Sequence, residues 1–269
     1  LILLFYFVII IYLSINFYSY IITDCWVPDE MAFFHSAISK DYGFKSFILA
    51  ENKFGYGTLY WWILSIASSL DNFKLLRYLS FGYLSAIPLI IWLIGDKLKS
   101  SKIFKIYAVL LFVTFPASWM YNKIIGPELL SVFLGLAGFY LSLTQKTRLI
   151  GFLVLGVSFG IKLNSISVLI FSYLYMIFSQ YDSELNFKDW YKETLLLIAF
   201  SILGFLLSTP IFIFNPKLVI ENILSFGEAN FLNHDLDHIL FSLNYTWDGI
   251  INNGLFHISI NIFLILVLS

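Results

Sequence analysis

Apolar residues run through this chain in long blocks and rarely alternate with polar ones. A helix needs about 20 mostly apolar residues to cross the hydrocarbon core of a bilayer. Blocks of that kind occupy residues 1–22, 75–95, 103–121, 129–143, 149–178, 194–214 and the stretch from 255 onward. The block 149–178 is too long for one crossing and short for two. Because it carries Gly156, Gly160 and Lys162 in its first half, it reads as two short helices joined by a tight turn near Lys162. The pattern predicts an all-α polytopic membrane bundle of about eight crossings, forming one transmembrane domain over 1–269.

Polar positions then orient the bundle. Lys97, Lys99, Lys102 and Lys105 cluster between the second and third blocks, Lys146 and Arg148 between the fourth and fifth, Lys188 and Lys192 before the last long one. Short loops rich in Lys and Arg stay in the cytoplasm, which puts the N-terminus there too. The opposite, outer side collects the long loops 23–74 and 215–254, the short loop 122–128 and the turn at Lys162. In the first outer loop, Pro28-Asp29-Glu30 opens a helix-like segment over 29–39, and Gly55-Tyr56-Gly57 breaks the chain. Residues 58–70, with Tyr60, Trp61 and Trp62, read as a helix lying at the headgroup level.

Composition sharpens the picture. The chain is 59% hydrophobic and 12% charged, against about 25% charged for soluble domains. Aromatic residues reach 20%, more than a soluble core of this size can use. A net charge of -1 offers no basic field for nucleic acid. A single cysteine, Cys25, excludes an intrachain disulfide framework. Residues 1–22 exceed the length of a signal-peptide core and lack a small-x-small cleavage site, so they read as a retained crossing. The chain opens on Leu1 and closes on an apolar run, and is expected to be a piece of a longer protein.

The outer side holds the residues able to carry chemistry. Asp24, Asp29 and Glu30 follow the first crossing. Carboxylates between a membrane surface and a loop lose solvation and can act as general bases; the plainer reading is a helix start with favourable charges. Lys123 and Glu128 flank Gly126-Pro127, either as a substrate-binding pair or as an interfacial lysine and a helix opening. Lys162 is the most isolated charge. An ionisable residue in a membrane stretch is a functional candidate, here for a phosphate or pyrophosphate; otherwise it is a lysine snorkelling at a turn. The last outer loop offers Glu228 and then His234-Asp235-Leu236-Asp237-His238. Its histidines share a helix face at i and i+4 and can hold a divalent metal with Asp235 or Asp237. The same loop also reads as a polar surface facing substrate, or as a solvated loop without a role. Asn244-Tyr245-Thr246 is a glycosylation sequon, relevant only to a lumenal face in a eukaryote. The sequence contains no P-loop, GxGxxG or HExxH motif.

The order of these features resembles the GT-C superfamily of membrane glycosyltransferases, in the branch with the protein O-mannosyltransferases and the bacterial lipid A aminoarabinose transferases. The resemblance covers nearly the whole chain. Asp24 and Pro28-Asp29-Glu30 look like the family's acidic motif after the first crossing, and Gly57-Thr58-Leu59-Tyr60-Trp61-Trp62 like its loop entering an interfacial helix. Arg77-Tyr78-Leu79-Ser80 leads a crossing that ends in a basic loop. Pro127-Glu128 looks like the family's Arg-Pro-Asp/Glu motif, with Gly126 where Arg usually stands. Residues 156–162 look like its Gly-rich stretch ending in Lys.

The resemblance implies transfer of a sugar from a polyprenyl-phosphate donor to a hydroxyl of a lipid, glycan or protein acceptor at the outer membrane face; the positive-inside layout and the lack of targeting signals suit a bacterial inner membrane. Asp29 or Glu30 acts as base. Lys162 and Lys123 stabilise the leaving phosphate, and Asp24, Glu128, Glu228, His234 and His238 line the substrates. No cofactor is required, and a divalent metal at Asp235 and Asp237 is an optional addition. The alternatives are a transporter or flippase of lipid-linked sugars, a polysaccharide polymerase and a membrane scaffold.

Overall fold

The computed structural model describes residues 6–12, 59–60, 62–63, 66, 73–114, 127–162, 165–181 and 187–221. Among them every regular element is helical. Residues 6–12 are one such segment. Further helices are α1 (Phe73–Lys97), α2 (Lys102–Thr114), α3 (Pro127–Ser142), α4 (Arg148–Ile161), α5 (Ile166–Tyr181), α6 (Phe187–Ser208) and the short α7 (Ile211–Phe214), and residues 216–221 are helical as well.

Two windows, Arg77–Lys97 in α1 and Trp190–Ser208 in α6, are long and apolar enough to cross a membrane. Only 33% and 22% of these windows is buried. Their outward faces are large and apolar: Leu195, Leu196, Ile198, Ile202, Leu203 and Leu207 on α6 are exposed, whereas Ser201 and Ser208 are buried. Soluble helices bury the large apolar residues and expose the polar ones; on α6 six large apolar residues are exposed and two serines buried. Pro127–Ser142 and Ile166–Phe178 are shorter apolar helices.

The helices alternate in direction, and their linkers are built for it. α1 ends in a left-handed residue, Lys99 (φ 54°). Ser100 N–H donates to Gly95 O at 2.9 Å and Lys99 N–H to Asp96 O at 3.1 Å, the paired bonds that close a helix C-terminus. Ser101 Oγ then accepts from Phe104 N–H at 3.2 Å and starts α2. Between α3 and α4, a 3-10 turn at Gln145–Thr147 is tied by Thr147 Oγ1 donating to Leu141 O at 2.7 Å.

Two cores result. Ile9, Leu84, Ile87, Trp92, Val109, Val113 and Leu129 join residues 6–12 to α1, α2 and α3. Phe152, Leu155, Met176 and Leu197 join α4, α5 and α6. α4 and α6 also meet backbone to backbone. A Cβ on Gly156 would lie 2.0 Å from Ser201 O, and one on Gly204 2.0 Å from Leu153 O. Glycine and serine here permit the close approach that drives helix association where lipid solvates apolar side chains as well as protein does.

The turn expected near Lys162 is present: α4 ends at Ile161, Lys162 is extended (φ -146°, ψ 123°) and α5 starts at Ile166. Two boundaries differ from expectation. The block 194–214 is not one helix, because α6 stops at Ser208 and Pro210, which lacks an N–H, opens the separate turn α7. α6 also begins at Phe187, so Lys188 and Lys192, expected in a loop, lie within the helix. Hydropathy marks apolar content, while a helix continues through charged residues until a capping or breaking residue intervenes. The crossing at 255 onward, the helix over 29–39 and most of 58–70 lie outside the described residues.

Candidate functional site

The lysine-rich linkers gather at one end of the bundle. The ammonium of Lys97, closing α1, sits 5.9 Å over the ring of Tyr140 near the end of α3. Arg148, opening α4, pairs with Glu193 near the start of α6. The starts of α3 and α5 and the end of α4 therefore lie at the other end.

At that other end the structure joins two of the expected site residues. Lys162 Nζ donates to Glu128 Oε1 across 34 residues of sequence. Each is positioned by its helix. Pro127 fits the first position of α3, where an amide hydrogen would find no partner in the helix. Glu128 follows in the first turn, where the helix dipole favours a carboxylate. Lys162 caps the C-terminal end of α4, where the dipole favours a cation, and its N–H donates to Ser158 O at 3.1 Å. Both side chains remain about a quarter exposed, 28% for Lys162 and 24% for Glu128.

A serine cluster lies beneath the pair. Ser158 Oγ donates to Ser131 O at 2.7 Å. Ser131 Oγ contacts both Ser158 O, at 3.4 Å, and the hydroxyl of Ser165. Ser165 N–H donates to Lys162 O at 3.0 Å and closes the turn. Ser131 and Ser158 are nearly inaccessible, at 2% and 0% exposure. The cluster locks α3, α4 and the α4–α5 turn together one helical turn below the ion pair, and so fixes where the ammonium sits. An ammonium has three donors and Glu128 takes one; the others remain able to meet a phosphate oxygen.

Sequence spacing alone does not show that Glu128 pairs with Lys162, as it does in the structure. The sequence reading gave no role to the serines, although spacing points to them. Ser131 is three residues after Glu128 and Ser158 four before Lys162, each on the face of its charged neighbour. Arg77, noted only as the start of a crossing, is 4% exposed and lies toward the same end on α1. A cation buried in so apolar a helix is a functional candidate in its own right.

Asp24, Asp29, Glu30, Lys123, Glu228, His234, Asp235, Asp237 and His238 lie outside the described residues. Among the described residues no three His, Cys, Asp or Glu side chains come together. No protein-family model, curated protein or solved structure matches the chain.

Proposed function

We propose that this chain is a multi-pass membrane enzyme of the GT-C type. It moves a sugar from a polyprenyl-phosphate donor to a hydroxyl acceptor at the face of the membrane opposite its lysine-rich loops. The observation that carries the reading is the Glu128–Lys162 pair at that end of the bundle, a cation about a quarter exposed in a chain only 12% charged. Positive charge in short loops marks the cytoplasmic side, so the pair faces outward, in a bacterial inner membrane or its equivalent.

In this mechanism the donor lies with its isoprenoid chain in the bilayer and its phosphate at Lys162. Asp29, or Glu30 in its place, takes the proton of the acceptor hydroxyl. The freed oxygen pair attacks the anomeric carbon as the bond from that carbon to the phosphate oxygen breaks. The bonding electrons leave with the lipid phosphate, and one displacement inverts the anomeric configuration. Lys162 stabilises the negative charge as it grows. Glu128 holds the ammonium in place and offsets its charge when the donor is absent.

The test is sugar transfer from polyprenyl-phosphate donors in membranes containing the protein, comparing wild type with Lys162→Met, Asp29→Asn and Glu30→Gln at matched expression. Loss of transfer by about a hundredfold or more in Lys162→Met and in one acidic variant supports the reading. Absence of transfer by wild type from every donor, or wild-type rates in all three variants, overturns it.

One observation favours a second reading. α4 and α5 are two short helices, 14 and 16 residues, hinged at a charged residue, and helices broken at a polar site are also the binding elements of transporters. Net movement of a lipid-linked sugar across vesicles without glycosidic bond transfer selects that reading.

A further inference from the structure

An apolar groove of about 400 Å3 runs along the bundle at its lysine-rich end, between α1, α2, α3 and α5. It extends from Leu98, Ser100 and Lys105 at the linker to Leu136, Val168 and Phe171 deeper along the helices. The Lys105 stem lines it, while its ammonium pairs with Asp96 and lies 5.0 Å over the Trp92 ring. The adjoining linker carries Lys97, Lys99 and Lys102, all exposed. From Asp96 to Lys105 four lysines stand against one aspartate. The capping bonds at Lys99 and Ser100 give this linker one fixed geometry.

We propose that the groove holds one acyl chain of an anionic phospholipid whose head-group phosphate rests on the lysines of the α1–α2 linker. A soluble anion would be served by the lysines but has no use for an apolar channel. A neutral lipid would fill the channel but leave the positive charge unanswered. An anionic lipid meets both at once, and basic pockets between membrane helices on the cytoplasmic side suit such head groups. The inference rests on the membrane embedding and orientation proposed above but not on sugar transfer, so it stands or falls separately from that activity.

The test uses the full chain purified in a non-ionic detergent. It is incubated with equal amounts of dioleoyl phosphatidylglycerol and dioleoyl phosphatidylcholine, and retained lipid is counted by native mass spectrometry. Wild type is expected to keep one phosphatidylglycerol in preference to phosphatidylcholine. The double variant Lys99→Gln/Lys102→Gln is expected to lose that preference, about fivefold for each lysine removed. Ala108→Trp, which fills the groove, is expected to lose both lipids, with thermal unfolding checking that the variant folds. Equal retention of the two lipids by wild type, or an unchanged preference in the double lysine variant, overturns the proposal. So does full displacement by soluble glycerol phosphate, which would show a head-group site without a chain site. A dimer that persists without lipid and is lost in Ala108→Trp also overturns it, because a second copy would then fill the groove.

Discussion

Two regions of this protein are packed on opposite principles. Around α1, α2 and α3, large side chains interlock: Ile87 is fully enclosed, Leu84 is 2% exposed, and Tyr83 and Phe133 meet at 5.5 Å between ring centroids. Between α4 and α6 glycines at the seam let the backbones touch, beside the Phe159 and Phe205 rings at 5.3 Å. The first kind of contact relies on volume that can be traded between neighbours. The second relies on the absence of volume, which leaves no room for adjustment. The difference teaches that glycines with the same identity carry unequal weight here. What decides their importance is whether the obstacle to a Cβ is backbone, side chain or open space.

Substitutions in the two regions sharpen that contrast, each read as a change in unfolding free energy in mixed micelles. The largest effect is expected at the α4–α6 seam. Gly156→Ala and Gly204→Ala each push a methyl into a carbonyl oxygen 2.0 Å away and should cost about 3 kcal/mol. Gly160→Ala meets the hydroxyl of Ser208 instead, with Phe205 O and Ser208 Cβ both at 3.1 Å. Ser208→Ala should therefore restore much of what Gly160→Ala loses but leave Gly156→Ala unimproved. An equal rescue of both would refute the backbone obstacle. In the other core, Ile87→Val removes one buried methylene and should cost about 1 kcal/mol. Gly82→Ala is the smallest case. Nothing lies within 4 Å of its Cβ position, and the change should be neutral or stabilise α1 by up to about 1 kcal/mol. A cost above that at Gly82 would break the distinction between the regions.

Much of the helical layout was legible in the sequence because apolar runs report where a helix can be solvated by lipid. The block 75–95 falls within α1, 129–143 nearly coincides with α3, and the break in 149–178 is at Lys162 as expected. Helix ends were less legible. Charged residues such as Lys188 and Lys192 look like loop but extend a helix, and Pro210 stops one inside an apolar run. For the site, Glu128 and Lys162 were each recognisable from their isolation. Their pairing was not, because it depends on the relative height of α3 and α4. Gly156 and Gly160 were read beside a turn and in a family-like stretch. Their spacing of four also fits a helix contact face, and that is the use the structure makes of them.

The close seam also sets a schedule for assembly. Gly204, which closes against α4, leaves the ribosome roughly fifty residues after Gly156, at about 5–20 residues per second. For several seconds of synthesis α4 waits with its glycine face uncovered while α5 is made. During that interval any other helix with a small-residue face can occupy the place, and the finished protein depends on α6 arriving in time to claim it.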